Sequence, residues 1–321
     1  MTSIASDRIA IVGAGAFGTL LAARMHESGA PVTLVAHRHA DATEITVDGI
    51  TIIDSRGERT VRVPCISFGA SPAGFFTLVF CVKSYDTRSA AEMHCPRLAT
   101  GGFVLTLQNG AGNVEALAEV FGRENVVAGI STEAALLERV GRVRHTGRGE
   151  THVGELDGAI SPRLKRLAAI LDRAGYRTRL AKSVDRLIWR KLAINAGINA
   201  LTAIAGQPNG WISQNPHARS LAIAAVREVC AVSEYAGCAL DADELAGVML
   251  GVAQRTAKNR SSMLIDIERG RATEVEAIQG YVVRMGARFD VPTPVNSVLR
   301  DLVLSISTAR PDEFPHGGST S

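Results

Sequence analysis

The sequence predicts an α/β protein in two parts, a first domain in which strands and helices alternate and a second that is all-helical. Three observations carry this reading. A short apolar strand, "RIAIVGAG", runs straight into glycines and a helix. More apolar strands, separated by helical stretches, follow as far as about residue 178. Beyond that point strand signals nearly vanish and long helical runs take over. Alternation of the first kind argues for a mostly parallel sheet covered on both faces. The expected domains are therefore 1–178 and 179–321, which suits a chain of 321 residues. The tail from about 308, "ARPDEFPHGGSTS", is rich in Pro, Gly and Ser and is expected to fray.

Taken in order, the strand "RIAIV" is followed by the helix "FGTLLAARMHESG", with Phe17, Leu20, Leu21 and Met25 as its apolar face and Gly29 as its stop. "PVTLVAHR" is a second strand, completing a βαβ unit. "GITIIDSRGERTVRVP" reads as a hairpin turning at Arg56–Gly57. "FTLVFCVKSYDT", "GGFVLTLQNG" and "NVVAGIST" are three further buried strands. The basic run "ERVGRVRHTGRGE" (138–150) reads as a solvated hairpin. Helices are expected over 183–205, 215–237, 242–260 and 274–289, and over the earlier half of "SSMLIDIERGRATEVEAI", where Gly270 breaks the run. No internal repeat is visible.

Composition narrows the function. The apolar fraction of 46% against 21% charged residues specifies a filled core rather than disorder. A net charge of +3, spread along the chain, gives no basic face for nucleic acid or a membrane surface. The five cysteines, at 65, 81, 95, 230 and 238, are odd in number and lack C-x-x-C spacing, so they read as reduced thiols of a cytoplasmic protein. The histidines form no compact ligand set, and no metal is expected. The N-terminus lacks the charged and apolar regions of a secretory signal, and no apolar run is long enough to span a bilayer.

Gly13, Gly15 and Gly18 spell G-x-G-x-x-G between a strand and a helix. The first permits a tight turn, the second lets backbone approach a pyrophosphate seated on the helix N-terminus, and the third lets helix and strand pack closely. In this βαβ setting the motif predicts a Rossmann-type dinucleotide site formed by Gly13, Ala14, Gly15, Ala16, Phe17 and Gly18. An NAD site usually has an acid at the end of the second strand to accept from the ribose 2′-OH. Here that end carries His37, Arg38 and His39 instead, which suits the 2′-phosphate of NADP(H). Arg38 is the better fixed charge, because histidine is mostly neutral at pH 7.

Ligands of open α/β sheets sit outside the carboxyl ends of the strands. Lys83 and the Gln108–Asn109–Gly110 run stand at two such ends, although Asn-Gly is also an ordinary turn signal. In the second half, Lys191, Asn195 and Asn199 recur every four residues in an otherwise greasy helix, a row that keeps to one face. A lysine there can give a proton to a carbonyl oxygen and stabilise the alkoxide that forms. The two amides can hold a hydroxyl or carboxylate. An inter-helix amide network is the plain structural alternative. Ser262 and Glu274 read equally as a surface hydroxyl and a first-turn acid after a Thr273 cap.

Together, "IVGAGAFG", "CVKSYDT", "LQNGAGN", "KLAINAGINALTAIAGQPNG" and "SSMLIDIERGRATEVEAIQG" resemble the 2-dehydropantoate 2-reductase (ketopantoate reductase) family, in order, over about residues 8 to 305. The resemblance implies Lys191 as general acid, with Glu274 positioning substrate or cofactor beside it. It implies Asn109, Asn195, Asn199, Asn209 and Ser262 around the substrate. It places Lys83, Asn109 and Glu274 along the NADP(H), with His37 or Arg38 at the 2′-phosphate. Members of the family often have arginine where this chain has His37, so the clamp is shifted by one residue. The implied reaction reduces 2-dehydropantoate to (R)-pantoate. A reductase of another 2-oxo acid, a β-hydroxyacid dehydrogenase on the same architecture and a non-catalytic nucleotide sensor are the alternatives. The last would not need Lys191. The expected partner is a small 2-oxo acid, with a homodimer left open, and the site is expected in a cleft between the domains.

Overall fold

The computed structural model describes residues 8–70 and 73–308; the tail past 308 lies outside the described residues. They fall into two units. One holds the chain to Gln108 and again from Gly112 to Asp185; the other holds Asn109–Ala111 and the chain from Arg186 onward. The first unit runs on past residue 178 because its last strand, 177–180, still pairs within its sheet.

In chain order the first unit opens with β1 (Ile9–Val12), α1 (Ala16–Glu27), β2 (Val32–Ala36), α2 (His39–Asp48), β3 (Ile50–Asp54) and β4 (Gly57–Val61). It continues with β5 (Cys65–Ser67), β6 (Phe75–Phe80), α3 (Thr87–His94), β7 (Leu98–Thr106), α4 (Asn113–Phe121) and β8 (Val126–Ser131). It closes with β9 (Ala134–Arg139), β10 (Arg142–Gly147), β11 (Glu150–Glu155), α5 (Pro162–Arg173) and β12 (Arg177–Leu180). Among the described residues the main sheet runs β12-β11-β8-β7-β6-β1-β2-β5. It is parallel except where β11 meets β8. Its central strands are continuous apolar runs because both faces are covered; all four residues of β1 are buried.

A second sheet has the order β4-β3-β10-β9. The hairpin of β3 and β4 forms where expected, with Asp54 opposite Gly57. The basic run 138–150 does supply a hairpin arm, but β10 also pairs in parallel with β3, so it is not simply solvated. Its arginines are held by carboxylates: Arg142 takes both oxygens of Glu58, and Arg144 takes Glu138. This small sheet changes α1 as well. The helix packs on strands of both sheets, and residues 18–25 are all buried, not just one stripe.

The second unit is helical: α6 (Val184–Ala205), α7 (Trp211–Gln214), α8 (Pro216–Tyr235), α9 (Ala242–Arg255), α10 (Ser262–Glu268), α11 (Gln279–Phe289) and α12 (Pro294–Thr308). Side-chain caps set several starts. Asn215 accepts from the amides of His217 and Ala218, Asp241 from Asp243 and Glu244, and Ser261 from Leu264. Gly270, at φ 62°, ends the α10 region as its position suggested. Glu274 does not begin a helix; it heads a 3₁₀ turn, Val275–Ala277, before α11. The core is built on α6, whose alanines and glycine admit close neighbours. A Cβ on Gly197 would stand 3.0 Å from Val226 Cγ2 and from Met249 Cγ, on α8 and α9.

Candidate active site

The glycine turn is assembled from backbone. Gly13 has φ 117°, its N–H donates to the Val35 carbonyl, and a Cβ there would lie 2.7 Å from the Val82 nitrogen. Gly18 is tighter still, since its Cβ would come within 2.0 Å of the Gly13 oxygen. Gly15 differs from both, because nothing lies within 4 Å of where its Cβ would be. It is the N-cap of α1, with no side chain capping the helix and no acid in the first turn. The amides of a helix's first turn lack intrahelical acceptors, and the dipole there favours negative charge. An open, uncapped, carboxylate-free helix start beside a glycine is the arrangement a pyrophosphate needs, so the residues present fit a dinucleotide.

The end of β2 modifies the sequence reading. No acid stands on the strand, but one stands a turn into α2. Arg38 donates from Nε to Asp41 Oδ2 at 3.0 Å, with a second contact from Nη2 to Oδ1 at 2.8 Å. The hydrogen bond to Asp41 and its charge hold the guanidinium pKa above its usual value. The Arg38 side chain is still 68% exposed, so the guanidinium remains open to solvent, while Asp41 is half-buried. His37 is exposed and sits edge-on to Phe68 at 5.2 Å between ring centroids. Lys83 is half-buried just past β6 and precedes a 3₁₀ turn, Ser84–Asp86.

Behind Lys83 lies a polar network the sequence did not reveal. Gln108 donates from Nε2 to the Val82 carbonyl at 2.9 Å and to Thr87 Oγ1 at 2.7 Å, and its Oε1 accepts from Thr106. Thr87 passes its proton on to Asn113 Oδ1 at 2.8 Å. Buried polar groups so fully paired rigidify what they join, here the carboxyl ends of β6 and β7 and the start of α4. Gln108 is thus a structural amide, although Asn109 beside it belongs to the second unit.

In that unit the Lys191, Asn195 and Asn199 row lies on α6 as expected, with Lys191 and Asn195 half-buried and Asn199 buried. Two ties draw other polar groups to the same helix, and a third joins two of the segments that carry site residues. Gln279 donates to the Ala196 carbonyl at 3.1 Å, fixing the start of α11. The Ala111 amide donates to Ala277 O at 2.8 Å, holding 109–111 against the turn that Glu274 begins. Thr202 donates to Ser261 Oγ at 2.9 Å, which brings α10 and the exposed Ser262 to the far end of the row. Glu274 is buried, and its carboxylate acts electrostatically on Lys191. Burial lowers the Lys191 pKa from 10.5 to about 8, with Glu274 pulling the other way. Asn209 stands apart from these ties: its amide donates to Thr256 Oγ1 at 3.0 Å and its backbone N–H to Asn259 O.

Family models described as "Ketopantoate reductase PanE/ApbA" and "Ketopantoate reductase PanE/ApbA C terminal" match residues 9–158 and 183–307. A 2-dehydropantoate 2-reductase of Halobacterium salinarum is 36% identical over 92% of this chain and 97% of its own. The chain belongs to the ketopantoate reductase PanE/ApbA family. The crystal structure of a PanE/ApbA family ketopantoate reductase from Ralstonia eutropha JMP134 superposes with a TM-score of 0.87 at 31% identity, covering 94% of this chain and 99% of that one. A D-mandelate dehydrogenase in complex with NADH and anilino(oxo)acetate reaches a TM-score of 0.90 at 24% identity, covering 94% and 99%, a likeness of fold.

The two halves that the ketopantoate reductase models match divide the expected site residues between them. Gly13–Gly18, His37, Arg38 and Lys83 lie in the first unit; Asn109, Lys191, Asn195, Asn199, Asn209, Ser262 and Glu274 lie in the second. Sequence reasoning missed Asp41, the Gln108 network and the capping role of Ser261. Asp41 had a signal: an acid three residues beyond an arginine at a helix start is within reach of it.

Proposed function

We propose that this protein reduces 2-dehydropantoate to (R)-pantoate with NADPH, Lys191 being the proton donor. The observation that carries the reading is Lys191 itself, half-buried beside the carboxylate of Glu274 with its pKa brought to about 8. A general acid works best when its pKa is near the operating pH. At pH 7 the ammonium still holds its proton, yet it is a far better donor than an ordinary lysine. Bound NADPH supplies the hydride for the 2-oxo carbon. Lys191 Nζ delivers a proton to the oxygen of that carbon and neutralises the charge gathering there. Glu274 keeps the ammonium charged despite its burial. Asn195, Asn199, Asn109 and Ser262 orient the carboxylate and hydroxyl ends of the substrate, and Asn209 shapes the turn that follows α6. Gly13 to Gly18 receive the pyrophosphate, Lys83 lies along the cofactor, and Arg38 with His37 takes the 2′-phosphate. The relatives named 2-dehydropantoate 2-reductase support this choice of substrate.

The test is NADPH oxidation with 2-dehydropantoate, 2-oxoisovalerate, oxaloacetate and pyruvate under one set of conditions. The expected result is a kcat/KM for 2-dehydropantoate well above the other three. A faster rate on another 2-oxo acid would reassign the substrate, and no oxidation of NADPH with any of them would remove the enzymatic reading.

A further inference from the structure

The first unit has a cavity of about 250 Å³ at the C-terminal end of α1, lined by Arg24, Glu27, Ser28, Arg56, Arg148 and Arg173. α1 begins at the glycine turn, so its twelve residues, at about 1.5 Å each, separate this cavity from the pyrophosphate position by roughly 18 Å. It is a different place from the dinucleotide site.

Its charges do not cancel. Arg24 is 6% exposed, with Asp54 and Glu133 each 3.7 Å away. Its Nη2 meets His145 Nδ1 at 3.0 Å, and its Nε is buried with no hydrogen-bond partner. Glu27 is engaged by Arg59 through both carboxylate oxygens, at 2.6 and 3.0 Å. Arg56 reaches Glu27 and Asp54 only at 3.7 and 3.6 Å. Arg148 and Arg173 have no ion pair among the described residues. Four arginines line the cavity, and with Arg59, which lies outside the lining and holds Glu27, five stand against three carboxylates, Glu27, Asp54 and Glu133, leaving two positive charges unanswered. The helices that end nearby, α1 and α5, turn their C-terminal dipoles toward these arginines and help to hold them there, while their last carbonyls accept backbone bonds. The Arg24 and His26 carbonyls take the amides of Ser28 and Gly29, and those of Ile170 and Asp172 take Ala174 and Gly175.

We propose that this cavity binds the phosphate or diphosphate group of a small phosphorylated molecule. Two unopposed guanidinium charges match a dianion. Arginine's planar fork recognises phosphate oxygens in pairs, and the buried Arg24 Nε–H is a donor still lacking an acceptor. Arg148 and Arg173 are exposed, so they close on the ligand from the solvent side.

The probes are inorganic pyrophosphate and ADP, titrated calorimetrically into the full-length protein saturated with NADP⁺, which occupies the glycine turn. The parent is expected to bind pyrophosphate, and Arg148→Ala/Arg173→Ala to bind it at least ~10-fold more weakly, because each removed partner made charge-assisted bonds. Reductase turnover and melting temperature of the double variant should match the parent. ADP binding more tightly than pyrophosphate assigns the site to phosphate esters, and equal binding assigns it to the inorganic ion. Undiminished binding by the double variant, loss of binding when NADP⁺ is present, or no binding at millimolar pyrophosphate each overturns the proposal.

Discussion

The glycine turn of the first unit and the polar row of the second are built in opposite ways. The turn uses the absence of side chains. Gly13 and Gly18 leave no room for a Cβ, and only Gly15 faces open space. The row uses side chains placed against the grain of their surroundings, a lysine and two asparagines in a helix whose stretch from Leu192 to Ala203 is otherwise packed largely as core. A site made of backbone fails by misfolding when it is altered, whereas a site made of side chains fails in chemistry while the fold survives.

The largest effect is expected at Lys191. Loss of a general acid is typically worth ~10²–10⁴-fold, so Lys191→Ala should lower kcat by about that much with NADPH affinity nearly unchanged. Circular dichroism should show an intact helical unit. A variant that keeps its turnover but melts early would make the row structural. The acid form of Lys191 disappears above about pH 8, so kcat/KM of the parent should be level below that and fall about tenfold per unit above it. Stability runs the other way. Burial penalises the folded ammonium below about 8, and the penalty lifts as pH approaches the ordinary lysine value of 10.5. The parent should therefore gain stability relative to Lys191→Ala across that interval in urea melts.

Next come the two glycines, which separate packing from ligand space on one turn. Gly18→Ala puts a methyl 2.0 Å from a carbonyl oxygen and should lower Tm by roughly 5–10 °C, in line with overpacking costs of a few kcal/mol. Gly15→Ala should leave Tm unchanged and weaken NADPH, as fluorescence titration would report. Equal loss of Tm in both variants would erase the distinction.

The smallest effects concern Arg38. Its removal should raise the NADPH KM about tenfold and leave that for NADH alone, since a charge-assisted contact contributes roughly 1.5–3 kcal/mol before solvent screening. Asp41→Asn should act in the opposite sense, strengthening NADPH by a few-fold, because the carboxylate now occupying Arg38 competes with the 2′-phosphate. Unaltered NADPH kinetics in both would move the clamp to His37.

What the sequence disclosed follows the range of the interactions involved. The glycine turn is legible because its geometry is set within six residues, and the row on α6 because helical spacing alone aligns it. Gly270 and the β3–β4 hairpin are equally local. The small sheet was hidden because β3 finds β10 about ninety residues away, a pairing no local pattern encodes. The same sheet buries α1 all round, which is why one apolar stripe understated its burial. Glu274 was read as opening a helix, since nothing local announces the break at Ile278. The Gln108 network joins three loops, and its threonines and amides look in sequence like ordinary turn chemistry.

The excursion at 109–111 has a consequence for how the chain is made. Ala111 donates to the Ala277 carbonyl, so this tripeptide is a member of the second unit threaded through the sequence of the first. At translation rates of about 5–20 residues per second, some 165 residues must still emerge before its acceptor does, a wait of roughly 8–30 s. During that time the first unit can complete its sheet while the tripeptide stays unpaired. An isolated fragment starting at Arg186 would lack it permanently. The second unit is therefore expected to be an obligate late folder, and a ribosome-bound chain halted near residue 185 should resist protease everywhere in its folded part except around Asn109–Ala111.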